Sequence, residues 1–179
     1  MLTPHKMDLP TFSIIVPVKN EEKVVGRLLK ALLRLNYPPE KMEIIIVEDG
    51  STDETVKICE EYSRQYPNQV KLFCRKVSNG KPSALNYALK HVKGEIIGVF
   101  DADSVPEPNV LLKVARYFKG SSVAAVQGRT CSINANENTL TKLVSYEEVV
   151  QYEAYMRGKD VLGLFVPLTG SCYFVRRSI

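Results

Sequence analysis

The sequence has no tryptophan, few cysteines and little excess of charge. Its four cysteines show neither the short paired spacing of a zinc site nor the density of a secreted disulfide scaffold, so we expect them to be reduced and mostly buried. The 24 basic and 20 acidic residues give a formal net charge of +4, which is too small and too evenly spread to indicate a nucleic-acid surface. A disulfide-stabilised domain, a cysteine zinc site and a nucleic-acid partner are therefore not expected.

Long apolar runs are also missing. The longest uncharged stretch, Val161 to Val175, has 15 residues and contains Pro167 and Gly170, which makes it too short and too broken to span a bilayer. We interpret it as two short buried strands around a turn. No basic and apolar leader precedes the first strand-like run, so no secretory signal is predicted. Residues 1–179 are expected to form one soluble domain, since this length suits a single core.

Apolar runs rich in β-branched residues recur at a regular spacing. They begin at Phe12, Glu43, Val70, Glu95 and Val123, so that successive starts are 31, 27, 25 and 28 residues apart. This is the length of a βαβ unit, whose right-handed crossover lays the strands parallel and covers both faces of the sheet with helices. Strands buried on both faces read as continuous apolar runs. The sequence thus predicts an α/β fold with a mostly parallel sheet flanked by helices on both faces.

Segments with helical periodicity lie between these runs. An apolar stripe over residues 25–33 predicts one helix. The sequence Ser51-Thr52-Asp53-Glu54 has the spacing of a capping box, which would open a second helix. Pro82 and Pro108 suit the first turns of two more, and a longer amphipathic helix is predicted over residues 139–157.

Polar sequences follow each of the first four predicted strands at the point where the strand ends. In an open parallel sheet, ligands bind outside the carboxyl ends of the strands, so these residues should lie on one rim. They are Val18, Lys19, Asn20 and Glu21 after the first strand, Asp49, Gly50 and Ser51 after the second, Asn79, Gly80 and Lys81 after the third, and Asp101, Ala102 and Asp103 after the fourth.

Asp101 and Asp103 are candidate metal ligands. They are two positions apart after an apolar strand, so on an extended chain both side chains point the same way. Two carboxylates this close repel each other and favour a divalent cation between themselves and a ligand phosphate, and oxygen ligands suit Mg²⁺ or Mn²⁺. The alternative is that one aspartate caps the turn before Pro106.

Lys81 is a candidate diphosphate ligand. It follows Gly80 at the predicted start of a helix, where unpaired backbone N–H groups already favour anions. It is not a P-loop lysine, because that motif needs glycine where Arg75 stands and Ser or Thr where Pro82 stands, and no GxGxxG sequence occurs. A solvated loop charge is the alternative interpretation of Lys81.

Asp49 has two interpretations. It could accept hydrogen bonds from a base or a ribose, with Gly50 permitting close backbone approach, or it could cap the helix that starts near Ser51. Asn20 and Glu21 have the same two interpretations, capping and ligand contact.

Six motifs in order carry a family resemblance. They are PVKNEE (residues 17–22), EDGSTDET (48–55), NGKPSALNYAL (79–89), DADSVPEP (101–108), AVQG (125–128) and TGSCYFVRR (169–177). Together they resemble the nucleotide-binding domain of inverting family 2 glycosyltransferases, above all the processive, membrane-associated branch with cellulose, chitin, hyaluronan and poly-N-acetylglucosamine synthases. The resemblance covers nearly the whole chain, from Phe12 to Arg177.

This resemblance implies a Rossmann-like GT-A fold that binds a UDP-sugar and transfers a hexosyl unit with inversion to a saccharide or lipid acceptor. It implies that Pro17, Val18 and Glu21 border the nucleoside, Asp49 pairs with the uracil, Lys81 faces the diphosphate, Asp101 and Asp103 hold the ribose side and a Mg²⁺ or Mn²⁺ ion, and Thr169, Gly170 and Ser171 line the acceptor's approach. Asn20, Gly50, Ser51 and Ala102 lie in the same motifs and complete the predicted nucleotide-binding set.

The sequence departs from the family pattern near its end. Family members carry their general base, an aspartate in a TED-like motif, after the segment that matches residues 169–177, and processive members add QxxRW. Neither motif occurs before the last residue, Ile179, so the resemblance implies a general base beyond Ile179. We expect a soluble fragment, truncated relative to the family, that binds donor and metal but transfers little or no sugar. Its parent is expected to carry transmembrane helices, with this domain on the cytoplasmic side.

The acidic residues nearest the end do not replace this base. Glu147, Glu148, Glu153 and Asp160 have the helical spacing of a solvated face. No catalytic residue is therefore assigned within the chain.

Two other functions fit parts of the sequence. Residues 101–105, DADSV, also match the nucleophile motif of haloacid-dehalogenase-type phosphatases, in which Asp101 would attack phosphorus. That motif normally follows the first strand of the sheet, whereas here it follows the fourth. A non-catalytic nucleotide-binding module is the third interpretation.

Overall fold

Within residues 9–76, 78–120 and 122–179, which the computed structural model describes, six strands form one sheet. They are β1 (Phe12–Val18), β2 (Met42–Glu48), β3 (Val70–Cys74), β4 (Ile96–Val99), β5 (Ala125–Gln127) and β6 (Tyr173–Arg176). Their order is β3-β2-β1-β4-β6-β5. The first four strands are parallel, β6 is antiparallel to β4, and β5 is antiparallel to β6. The mostly parallel α/β sheet is confirmed: β5 runs in the same direction as β1 to β4, whereas β6 lies between β4 and β5 and runs opposite to both.

The helices lie mostly where the periodicity places them. They are α1 (Val25–Leu33), α2 (Thr55–Gln65), α3 (Gly80–Ala88), α4 (Val110–Tyr117), α5 (Thr139–Val149) and α6 (Arg157–Val161), with a 3₁₀ turn at Pro39–Lys41 and a π-helical stretch at Val150–Met156. The long helix predicted over residues 139–157 is thus interrupted by the π-helical stretch, in which Met156 is the buried residue. Helix α2 begins at Thr55 and not at Ser51, since the predicted capping box does not form.

Helices cover both faces of the sheet, as the sequence predicts. Ile14 and Ile44 point to one face and pack in a core with α1, α2 and α4, whereas their neighbours Ile15 and Ile45 pack on the other face against Ala84 of α3. All four isoleucines are at most 1% exposed. Because successive side chains of a strand alternate between faces, both registers of these strands must be apolar.

Glu43 ties the amino ends of the four parallel strands together. Its carboxylate accepts hydrogen bonds from Ser13 Oγ in β1, from Lys71 Nζ in β3 and from the backbone N of Lys93, which precedes β4. Burial alone would raise the pKa of Glu43, but these hydrogen bonds outweigh it and lower the pKa below its usual value.

We expect Glu43→Gln to destabilise the protein by about 1–2 kcal/mol at pH 7, because the charge-assisted hydrogen bonds are lost. A lowered folded-state pKa contributes stability that is present above the unfolded-state pKa and is lost as the pH falls through the folded-state value. The difference between the two proteins should therefore shrink in acid, as measured by urea unfolding from pH 7 downward. Glu40→Gln, at an exposed position, is the control. A difference that stays constant with pH would contradict the assignment.

The segment before β6 differs from the prediction. The sequence predicts two buried strands within residues 161–175, but only the end of this segment belongs to a strand, and Val161 and Phe165 are 78% and 82% exposed. The physical reason is that Pro167 cannot donate a ladder hydrogen bond and Gly170 has no side chain to pack, so neither suits the interior of a strand. Among the described residues, no helix combines the length and the hydropathy needed to cross a membrane.

The prediction of mostly buried cysteines is only half right. All four are free; Cys59 and Cys172 are buried, whereas Cys74 and Cys131 are exposed. Burial raises the pKa of Cys59 to about 12 and that of Cys172 to about 11, so both stay protonated thiols at neutral pH.

Candidate functional site

The loops after β1 and β2 are joined by hydrogen bonds. Asn20, at a φ of 56°, donates from its backbone N to Ser51 Oγ at 3.0 Å and accepts at Oδ1 from Thr52 N at 2.8 Å. Glu21 N donates to Thr55 Oγ1 at 2.7 Å. Ser51 therefore fixes the neighbouring loop instead of capping α2, and Asn20 is held by the protein's own loop.

Asp49 is buried, with hydrogen-bond donors at one carboxylate oxygen and only an ion-pair contact at the other. It is 4% exposed, and its Oδ2 accepts from Ser78 Oγ at 2.8 Å and from Gly80 N, at the start of α3, at 3.1 Å. Its Oδ1 lies 3.1 Å from Arg75 Nη1. The interpretation that Asp49 caps the helix near Ser51 is therefore wrong, because its carboxylate accepts from the first backbone N–H of α3 instead.

Arg75 is a residue to which the sequence analysis gave no role. It follows β3 directly, and its other terminal nitrogen donates to Ser83 Oγ at 2.9 Å, so the guanidinium bridges Asp49 and α3. The signal that could have indicated it was a basic residue at the same strand-end position as the acidic ones.

Lys81 connects the rim residues to the segment before β6. Its Nζ donates to Asp101 Oδ1 and to the carbonyl oxygen of Gly170, the latter at 2.6 Å. Asp101 N in turn donates to Ser171 Oγ at 3.1 Å. The structure therefore brings together three predicted subsites: the lysine for the diphosphate, the aspartate for the metal and the turn for the acceptor.

Carboxylates crowd the same rim. Burial, followed by the negative charges of Asp103, Asp101 and Asp53, raises the pKa of Glu21 above its usual value. Asp103 is exposed, and its carbonyl oxygen, not its carboxylate, accepts from Arg27 at 2.9 Å. This negative potential and the oxygen-only donor set fit Mg²⁺ or Mn²⁺.

The protein ligands for such an ion are incomplete. Across residues 9–76, 78–120 and 122–179, no group of three or more His, Cys, Asp or Glu side chains is arranged to hold a metal. Asp101 and Asp103 would therefore hold an ion only together with oxygens from a bound ligand, such as a diphosphate.

Gln127 shapes the turn that carries Gly170 and Ser171. Its Oε1 accepts from Thr169 N at 2.7 Å, and its Nε2 donates to the carbonyl oxygen of Ser171 at 3.0 Å. Cys172, at the end of this turn, has a φ of 53°, a left-handed conformation that is uncommon outside glycine. Gln127 lies in the AVQG motif, but its sequence position alone indicates no role.

Other predicted site residues differ in how their side chains are placed. Val18 and Ala102 are 2% and 4% exposed and pack in the core, so a nucleotide would meet their backbone and not their side chains. Pro17 is half-buried in β1, and Gly50 has a φ of 77°, which glycine adopts without strain.

The acidic residues near the end are not simply a solvated face. Glu148 accepts from Ser132 N and Ser132 Oγ, both at 2.8 Å, and Glu153 pairs with Arg129 and Arg157. Both carboxylates therefore hold the segment after β5 against the helical region and are used structurally.

The last strand brings the chain end to the rim of the sheet opposite to the predicted site. Strand β6 runs antiparallel to β4, so it starts beside the carboxyl end of β4, at the turn with Gly170 and Ser171, and ends at Arg176 beside the amino end of β4. Ile179 follows three residues later and is 79% exposed. A general base beyond Ile179, which the resemblance implies, stays a prediction.

Comparison with known proteins identifies relatives of this chain. The family described as Glycosyl transferase family 2 matches residues 13–179. The chain is 39% identical over 171 residues to a beta-monoglucosyldiacylglycerol synthase from Nostoc sp. strain PCC 7120. That match covers 94% of the chain and 36% of the synthase, so the chain spans about a third of the length of this relative.

Solved structures show the same architecture. The mannosyltransferase PcManGT from Pyrobaculum calidifontis, in complex with GDP-Man and Mn²⁺, superposes with a TM-score of 0.72 at 23% identity, covering 96% of this chain and 46% of that one. Residues 1–349 of S. aureus TarS, in complex with UDP-GlcNAc, give a TM-score of 0.59 at 29% identity, covering 72% and 38%. The predicted GT-A fold is confirmed, and the phosphatase interpretation is not favoured.

Proposed function

The chain belongs to glycosyltransferase family 2, and we propose that it forms the part of such an enzyme that binds a UDP-sugar and a divalent cation. The observation that carries this proposal is the convergence of Asp49, Lys81 and Asp101 at the carboxyl ends of the parallel strands. In open α/β sheets this is the edge at which ligands bind. The reaction would be the transfer of a hexosyl unit with inversion.

Each rim residue has a role in this proposal. Pro17, Val18, Asn20 and Glu21 would border the nucleoside, Asp49 with Gly50 and Ser51 would face the uracil, Lys81 would bind the diphosphate, and Asp101, Ala102 and Asp103 would lie at the ribose and the ion. When bound, the ion would offset the charge that grows on the departing diphosphate. Lys81 would do the same from the protein side. The UDP-GlcNAc complex of TarS supports UDP as the nucleotide.

We propose a lipid or saccharide acceptor that approaches along Thr169, Gly170 and Ser171. The diacylglycerol in the name of the Nostoc relative supports a lipid. The resemblance to processive polysaccharide synthases stays a prediction, as do transmembrane helices in a longer parent and a place on the cytoplasmic face of the membrane. We assign no general base among the described residues.

Calorimetric titration with UDP tests the proposal. We expect binding that Mn²⁺ strengthens and that Asp103→Asn weakens about tenfold or more, which corresponds to ~1.4 kcal/mol, because the ion loses one of its two carboxylates. The substitution is structurally mild, since Asp103 is exposed. Asp160→Asn, an exposed aspartate on α6, is the matched control.

Two results would count against the proposal. UDP binding that needs no metal and is unchanged in Asp103→Asn would show that the site does not use a divalent cation. Absence of any UDP binding would show that UDP is not the nucleotide that this site binds. Turnover assays with UDP-sugars and lipid or saccharide acceptors separate a transferring enzyme from a module that only binds.

A further inference from the structure

Lys81 holds partners in two different predicted subsites. Its ammonium group contacts Asp101, a predicted metal ligand, and the carbonyl oxygen of Gly170 in the predicted acceptor turn. The side chains of Lys81 and Asp101 are each 38% exposed, so either can change partners without a large rearrangement of the core.

A divalent cation and Lys81 need the same carboxylate. A cation on Asp101 would lie close to the ammonium group, and the Coulomb energy between them scales with the product of their charges. Repulsion of the ammonium group by a divalent ion is therefore twice that by a monovalent ion at the same distance. Because Lys81 contacts Asp101 Oδ1, a cation on either oxygen of this carboxylate would weaken or break that contact.

The described residues offer little compensation for this displacement. They hold no three-ligand metal group, so the ion gains few protein contacts, while the displaced ammonium group loses its carboxylate. A diphosphate would supply what both lack, because its oxygens can coordinate the ion and accept hydrogen bonds from the lysine at the same time.

We propose that Lys81 couples metal binding to nucleotide binding by competing with the divalent cation for Asp101 until a diphosphate takes the ammonium group. This inference rests on the proposed function, which supplies the diphosphate. Cation and nucleotide then bind with positive cooperativity, and Lys81 carries part of the coupling free energy between them.

When Lys81 moves from Asp101 to a diphosphate, its side chain moves but the turn that it contacts stays in place. When Lys81 leaves, Gly170 loses one hydrogen bond, but Gln127 still holds the turn through Thr169 N at 2.7 Å and the Ser171 carbonyl oxygen at 3.0 Å. Ser171 Oγ also keeps its bond from Asp101 N at 3.1 Å. The acceptor turn is thus held in place independently of the bound state of Lys81.

Lys81→Met separates the two roles of the lysine. Without the ammonium group, Mn²⁺ alone should bind about 3- to 10-fold tighter, whereas UDP in the presence of Mn²⁺ should bind about tenfold weaker. The factor by which UDP strengthens Mn²⁺ binding should fall accordingly. Electron paramagnetic resonance of free Mn²⁺ measures the first affinity, and calorimetry measures the second.

Two variants control this experiment. Lys81→Arg keeps the positive charge, so its affinity for Mn²⁺ alone should stay within about twofold of the original protein. Lys113→Met removes a lysine from another exposed lysine–carboxylate pair, with Glu107, and should change neither affinity. Thermal unfolding of each variant verifies that the fold is intact.

The outcomes distinguish this inference from the proposed function. Binding of Mn²⁺ to Lys81→Met that is absent, or no tighter than to the original protein, overturns the competition whether or not UDP binds. Tighter Mn²⁺ binding with an unchanged coupling factor overturns the role of the diphosphate. Failure of the original protein to bind UDP with Mn²⁺ present overturns the proposed function instead.

Discussion

Arg75→Met is expected to destabilise the protein by about 3–5 kcal/mol, the usual cost of removing one partner from a buried ion pair. The side chains of Arg75 and Asp49 are only 14% and 5% exposed, so the remaining carboxylate would stay buried beside hydroxyl and backbone donors without its counter-charge. The guanidinium bond to Ser83 Oγ would also be lost. Urea unfolding at neutral pH measures the difference.

Two further variants separate the charge from the packing. In the double variant Asp49→Asn/Arg75→Met the unpaired charge is absent, so part of the lost stability should return, and the double-mutant cycle should show a coupling well above about 0.5 kcal/mol. Arg64→Met, on the exposed side of α2, should cost little. Equal losses in Arg75→Met and Arg64→Met would refute the buried-pair assignment.

The same pair decides how Asp49 can be tested as a uracil ligand. Because Asp49 holds Arg75 and the start of α3, its removal would alter the loop as well as any contact with a base. Asp49→Asn keeps the shape of the side chain but leaves Arg75 without its counter-charge, so thermal unfolding must first verify that this variant is folded. We expect it to reduce the preference for UDP over other nucleoside diphosphates, which competition calorimetry measures. An unchanged preference would show that Asp49 does not contact the base.

The parallel part of the sheet was predictable because each of its strands is specified by a local sequence pattern, and this pattern repeats along the chain. Strands such as β1 and β2 are buried on both faces, which requires continuous apolar sequences that recur at the length of a βαβ unit. The rule that ligands meet the carboxyl ends of such strands then indicates Asp49, Lys81 and Asp101 without any knowledge of their contacts.

The remainder depends on partners that are distant in sequence. Strands β5 and β6 are short, and β6 comes from the end of the sequence to lie between β4 and β5. Ser51 binds Asn20 N instead of capping α2, and Lys81 contacts Gly170; these contacts join residues 31 and 89 positions apart. Local spacing carries no information about either contact.

Gly128→Ala is expected to cost about 3 kcal/mol and to disturb the acceptor turn, because overpacking of this kind forces backbone shifts. A Cβ at this position would overlap Cys172 Sγ and would lie 2.7 Å from the Cys172 carbonyl oxygen. Both distances are far shorter than van der Waals contact. The Gly128 N to Cys172 O hydrogen bond, at 2.6 Å, leaves the two segments little freedom to separate.

Two alanine variants make this prediction specific. Gly128→Ala/Cys172→Ala removes the sulfur contact but not the carbonyl contact, so it should recover only part of the loss. Gly26→Ala, in α1, would place a Cβ 3.7 Å from Ile58 Cγ2 and should be neutral or stabilising, since alanine is favoured in helices. Hydrogen exchange of peptides covering residues 169–172 should increase in Gly128→Ala, because Ser171 shifts with Cys172. Unchanged exchange together with unchanged stability would show that Gly128 does not fix this turn.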